Sequence, residues 1–237
     1  MTDNVVILGA ARTAMGGLMG SLSSVASPTL GAACIAEAVS RAGLDASAVE
    51  EVIMGCVLPA GLGQAPARQA SRAAGLPDAT PCTTVNKMCG SGMQAVIAAH
   101  DSIKAGSNGI MVAGGMENMS QAPYLLPKAR GGMRMGHGEV IDSMLFDGLQ
   151  DAYEGGLMGV FAQRSADDYN ISRETMDDFA IASLSKAVAA MESGAFNDEI
   201  VPVTVSGRGG DTVVDSVEQP PKAPRAKLPP YTTPFAS

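Results

Sequence analysis

One rhythm runs through the first half of the chain and limits what it can fold into: a short apolar run, a glycine, then a longer stretch with helical apolar spacing. Val5-Val6-Ile7-Leu8 closed by Gly9, residues 52–58, residues 82–85 and residues 109–115 read as strands. Three stretches read as helices: residues 32–42, with Pro28 near their start and Gly43 after their end; residues 65–74, stopped by Gly75; and the stretch from Cys89 to about Lys104, closed by Gly106. Strands separated by helices do not pair as hairpins; they line up in an α/β sheet covered by helices on both faces. With 46% hydrophobic residues among 237, the chain can bury a substantial core, as one large domain or two small ones.

Beyond about residue 118 the rhythm breaks at Pro123, Pro127 and the run Gly131-Gly132-Met133-Arg134-Met135-Gly136-His137-Gly138. The expected division is an α/β core over residues 1–118 and a second unit over 119–237. In the second unit, residues 142–150 and 158–169 have helical texture. A longer helix is expected from the cap Ser172 to Gly194, with Met176, Phe179, Ala180, Ala187 and Met191 on one face. Residues 201–205 and 212–214 flank Gly207-Arg208-Gly209-Gly210-Asp211 as a hairpin, and residues 219–237 are Pro-rich without periodicity.

A net charge of −8 with scattered charges argues against a nucleic-acid partner, although local basic clusters can hold a small anion. The start, MTDNVVILGAART, lacks a cationic, apolar leader, and no run is long enough to span a membrane; a cytoplasmic protein with no membrane partner is expected. Cys34, Cys56, Cys82 and Cys89 form no CxxC pair, and His100 and His137 are the sole histidines. No metal set assembles from these, and the cysteine usage fits a reducing compartment.

Cys89 stands apart within Asn86-Lys87-Met88-Cys89-Gly90-Ser91-Gly92-Met93-Gln94-Ala95-Val96, between an extended run and a helical start. The positive end of a helix favours a thiolate, the nucleophilic form of cysteine. Gly90 and Gly92 would leave the first turn open to a thioester, with N–H groups placed to stabilise an oxyanion. The local residues leave a second reading equally open, in which Cys89 is a small buried hydrophobe and the glycines serve close packing. Cys34, Cys56 and Cys82 lie within apolar patterns and read as packing residues.

The segments NKMCGSGMQAV, MVAGGMENMSQAPY, DGLQDAYEGGLMG and FNDEIVPV resemble the thiolases, in particular their bacterial acetyl-CoA acetyltransferases, over residues 1 to about 215. The resemblance implies that Cys89 is the nucleophile that takes the acyl group from acyl-CoA. It also implies an α/β fold: a thiolase-like N-terminal half, a mixed sheet with helices on both faces, carrying an inserted, mostly helical loop domain. In that family two similar halves make a five-layered αβαβα core, and this chain is expected to be the first half plus most of the insertion, truncated, with the C-terminal half absent. The family's Gly-His-Pro, Asn-Glu-Ala-Phe and Cys-x-Gly-Gly-Gly motifs do not occur here. Gly136-His137-Gly138 is not the first of these, and His100, eleven positions past Cys89, lies about 16 Å further along a helix, too far to act as its base.

By the same resemblance, Leu149 and Met158 match positions lining the CoA pocket, whereas Leu157 stands where many of these enzymes carry histidine. Met158 equally reads as core. Lys222, with Arg225 and Lys227, approximates the place of a phosphate-binding arginine, or else belongs to a solvated basic tail. The implied function is an acetyl-CoA C-acetyltransferase working through acyl-Cys89, with CoA thioesters as substrates, no further cofactor, and self-association as dimer or tetramer. The alternative is a fragment without turnover that binds CoA or self-associates. A ketoacyl synthase is disfavoured by GGMENMS and by the long insertion.

Overall fold

The computed structural model describes residues 4–223. Its first departure from expectation is the N-terminal run. Residues 5–8 form no strand, and Val6, Ile7 and Leu8 stand exposed, Ile7 at 85%. An extended apolar run needs ladder partners to become a strand, and the described residues supply none at this place. The first strand is β1, Arg12–Thr13.

The next six elements follow the sequence pattern: α1 (Ser27–Arg41), β2 (Glu51–Gly55), α2 (Pro66–Ala73), β3 (Cys82–Val85), α3 (Ser91–Lys104) and β4 (Met111–Gly115). Pro28 and Pro66 occupy first-turn positions, where a missing N–H costs nothing and the fixed φ suits a helix. The three strands order as β3-β2-β4, parallel in both pairings, with Ile53 opposite Thr83 on one side and Ala113 on the other. Of the mixed sheet that the resemblance implies, the described residues therefore hold a parallel part.

β2 is central, and Val52, Ile53 and Met54 are all buried, as a strand covered on both faces must be. Val52, Met54 and Cys56 pack against Ile35 and Val39 of α1 and Ala67 and Ala70 of α2. Each fully buried aliphatic side chain here contributes roughly 1.5–3 kcal/mol relative to exposure. α3 covers the opposite face with Ala95 and Ala99 buried, small residues that let helix and sheet approach closely.

After β4 come β5 (Tyr124–Leu125) and β6 (Ile141–Asp142), antiparallel around an exposed loop over residues 127–140. Residues 144–149, expected as ordinary helix, form a π-helix, Met144–Leu149, closed by Gln150 N–H donating to the Leu145 carbonyl. Ser143, helical in backbone at the start of this turn, is anchored by its Oγ donating to the Pro123 carbonyl. α4 (Met158–Asp168) and α5 (Arg173–Glu192) follow, the latter capped by Ser172 Oγ, which accepts from Thr175 N–H. The apolar face expected of α5 is poorly covered: Met176, Ala180, Ala187 and Met191 are half-buried and Phe179 is 76% exposed. The stripe is narrower than the pattern implies, and Phe179 falls off its edge.

The chain then returns to its beginning. β7 (Ile200–Val201) pairs parallel with β1, and β8 (Val203–Gly207) and β9 (Gly210–Val214) form the expected hairpin, with Gly210 at φ +110°. Val203 and Val214 share a cluster with Ala14, Leu22 and Leu30. Asn118 adds a polar tie, its side-chain amide donating to the Leu22, Ser23 and Val25 carbonyls. A short helix, α6 (Gln219–Lys222), ends the described chain. No helix among the described residues is long and apolar enough to cross a membrane.

Candidate active site

Between the end of β3 and the start of α3 the chain turns sharply through residues 86–90. Met88 adopts φ +49°, a left-handed conformation that costs a non-glycine residue about 1–2 kcal/mol. Several hydrogen bonds hold it. Met88 N–H donates to Asn86 Oδ1 at 2.9 Å, and the Met88 carbonyl accepts from Ser91 N–H at 2.9 Å and Ser91 Oγ at 2.6 Å. Ser91 Oγ, in a residue only 4% exposed, also accepts from Lys87 N–H at 2.8 Å. Cys89 follows, exposed, one residue before Gly90, which caps α3.

Glycines seat the helix end on the sheet. A Cβ on Gly55 would lie 2.6 Å from the Ser91 carbonyl carbon, and one on Gly115 would lie 3.3 Å from Gly92 Cα. The two glycines of the motif therefore have different jobs. Gly90 faces open space apart from the Lys87 carbonyl, as an approach path requires, whereas Gly92 lies against the Gly115 backbone and serves close packing. The N–H groups of Gly92 and Met93 have no acceptor among the described residues, so donors remain available at the helix start.

The turn opens on a cavity of about 380 Å³, lined by Cys89, Gly92, Cys56, Leu58, Glu117 and Leu149, among others. Two thiols thus share one space, and burial separates them. Cys56 is 2% exposed, and burial, reinforced by the neighbouring Glu117 carboxylate, pushes its thiol up to about 11. It stays protonated at neutral pH, leaving Cys89 as the nucleophile candidate. Cys34 is pushed up as well, by burial.

Leu149, at the end of the π-helix, lines this cavity; Gly148 beside it packs on Leu58. Met158 opens α4 at 46% exposure and is not among the lining residues, and Leu157 before it caps that helix. Lys222 is paired instead with Glu218, Nζ to Oε1 at 2.6 Å, away from the lining. Arg225 and Lys227 lie outside the described residues. Neither histidine lines the cavity: His100 faces Asp101 from an exposed position on α3, and His137 sits in the loop before β6. The residue that sequence reasoning passed over is Glu117. Its carboxylate accepts from Val57 N–H at 2.7 Å and Leu58 N–H at 3.3 Å, with Cys56 Sγ at 3.8 Å. An acidic side chain just past the Gly114-Gly115 end of an apolar strand pattern was the available signal.

Comparison with known proteins now bears on this geometry. Residues 5–236 match the thiolase N-terminal domain. The chain belongs to the thiolase family. It is 51% identical over 227 residues to acetyl-CoA acetyltransferase 2 of Arabidopsis thaliana, covering 95% of this chain and 56% of that protein. To the acetyl-CoA acetyltransferase of Escherichia coli it is 52% identical over 221 residues, with coverage of 93% and 56%. The Acat5 thiolase of Ascaris suum, solved in complex with coenzyme A, superposes with a TM-score of 0.91 at 39% identity, over 97% of this chain and 58% of that one. This thiolase chain thus spans little more than half the length of the relatives it matches.

Proposed function

We propose that this chain carries the acyl-accepting part of an acetyl-CoA C-acetyltransferase. The Cys89 thiolate attacks the thioester carbonyl of an acyl-CoA, a sulfur–carbon bond forms, and the resulting oxyanion collapses. The bond to the CoA sulfur then breaks, CoA leaves as thiolate, and acyl-Cys89 remains. The observation that carries this reading is the exposed Cys89 at a strained turn, opening on a cavity whose other thiol is held protonated. The CoA thioester is substrate, and no further cofactor enters the scheme. Leu149 lines the cavity, which supports its reading as a contact for the acyl or pantetheine portion. The unpaired cysteines support a cytoplasmic setting.

The second half-reaction, attack by a second acetyl-CoA or by free CoA, needs proton transfer, and no histidine lines the cavity. This favours the second reading, that residues 1–237 alone acylate but do not turn over. Incubation with acetyl-CoA followed by intact-mass analysis and peptide mapping tests both readings. We expect an acetyl adduct on Cys89, lost in Cys89→Ala, and acetoacetyl-CoA thiolysis at background. Absence of the adduct would defeat the first reading, and sustained thiolysis by the chain alone would defeat the second.

A further inference from the structure

Three pieces of chain meet beside Cys89, and their hydrogen bonds form one connected path. Glu117, just past β4, accepts from the amides of Val57 and Leu58 at 2.7 and 3.3 Å and so fixes the segment that continues β2 into the cavity wall. The Val57 carbonyl, on the far side of that segment, accepts from Asn86 Nδ2 at 3.3 Å. The other end of the same side chain, Asn86 Oδ1, accepts from Met88 N–H at 2.9 Å. Met88 is the residue held at φ +49°, and the thiol belongs to the next residue. A left-handed non-glycine residue persists only where its surroundings over-determine it, and this path supplies one of the constraints.

We infer that Glu117 is a positioning residue for Cys89: through the Val57 backbone and the Asn86 side chain, its carboxylate holds Met88 in the conformation that presents the thiol. The carboxylate faces two amides and the Cys56 Sγ, so it acts by anchoring the wall. Charge-assisted bonds to backbone amides are the stronger kind, which suits an anchor. Deleting it frees the wall, loosens Asn86, and lets Met88 relax toward the ordinary regions of backbone space. The role in acyl transfer rests on the reading of Cys89 as nucleophile, whereas the mechanical coupling does not.

Hydrogen exchange read at single amides in Glu117→Ala, Glu117→Gln and Asn86→Ala separates the two. In Glu117→Ala, exchange at Val57, Leu58 and Met88 is expected to quicken by about tenfold or more, the scale of one lost bond to a charged group. The amides of Val52 to Met54 in the same sheet are expected to stay within about twofold, since their ladder is untouched. Glu117→Gln retains one carbonyl oxygen and should restore most of the Val57 and Met88 protection. Asn86→Ala should quicken Met88, and the double variant should add little, because both substitutions cut the same path. Unchanged exchange at Met88 in Glu117→Ala would overturn the inference, as would uniform quickening across β2, which marks a general loss of stability. A parallel measurement compares Cys89 acetylation by acetyl-CoA with its alkylation by iodoacetamide. Glu117→Ala should slow the first by about tenfold, because thioester attack is orientation-dependent, and leave the second within about twofold. Equal slowing of both, or of neither, counts against a positioning role. If the wild-type chain takes no acetyl group at all, the acyltransferase reading falls, while the exchange pattern still decides the coupling.

Discussion

Cys89 and Cys56 open on the same cavity, yet one is exposed and the other buried. A thiol pushed up to about 11 by burial and by Glu117 is thiolate at pH 8 in roughly one part per thousand. Limited iodoacetamide on the folded chain should therefore label exposed Cys89 first, with Cys56 last and Cys34 slow. Peptide mapping checks this, and earlier labelling of Cys34 or Cys56 would remove the basis for the assignment. Glu218 is a second residue defined by its partners. It accepts from Gly17 N–H, Lys222 Nζ and both Ser21 N–H and Oγ, clasping the chain before α1 to the chain after β9. The Gly17 amide first, then Lys222 and Ser21, lower its carboxyl to about 2. A depressed carboxyl stabilises fully above its ordinary value and loses that contribution as pH falls through the depressed one. Amide protection at Gly17 and Ser21 should accordingly hold from neutrality down to the ordinary carboxyl value of 4.5, decline below it and be lost near pH 2, and Glu218→Gln should lower it at neutral pH but no longer below pH 2.

At the scale of elements, the seat of α3 on the sheet depends on absent side chains. Gly55→Ala would place a methyl 2.6 Å from Ser91 backbone carbon and 2.7 Å from Gly92 nitrogen, so strand or helix must shift. Overpacking of this kind costs about 1–3 kcal/mol, and urea unfolding should show a loss of that order. Gly131→Ala, with no atom within 4 Å of the added methyl, should be neutral; equal costs for the two would mean that α3 is not seated as described. The loop between β5 and β6 is exposed from residue 127 to 140 and carries Lys128, Arg130 and Arg134. If the division near residue 118 holds, brief trypsin treatment should cut first at these three sites. The hairpin β8–β9 should stay bound after the cut, since Val203 and Val214 pack on Leu22 and Leu30. First cleavage within residues 52–85 would instead place the weak point inside the core.

For the molecule as a whole, the unusual feature is apolar surface left uncovered. Met93, Val96 and Ile97 form an exposed face of α3, and Val6, Ile7 and Leu8 are exposed as well. Exposed apolar patches of this sort favour association. The purified chain should sediment as concentration-dependent oligomers, and adding charge with Val96→Glu and Ile97→Glu should shift it toward monomer. Monomeric behaviour of the unaltered chain at every concentration would sink this expectation.

The sequence by itself determined α1, β2, α2, β3, α3 and β4, because apolar period, proline starts and glycine stops act over a few residues and each element answers to its own stretch. It also placed Cys89 before a helix and the hairpin around Arg208-Gly209. Tertiary structure decided the rest. Residues 5–8 have strand composition, but a strand exists only when a neighbour supplies its hydrogen bonds, and none of the described residues does. Phe179 fits a helical stripe, yet whether a stripe is buried depends on what packs against it. Gly92 looked like an opening until Gly115 came to lie beside it. Glu117 meets Val57 across 60 positions of chain, a separation over which no local period carries information, and only the pairing of β2 with β4 brings the two together.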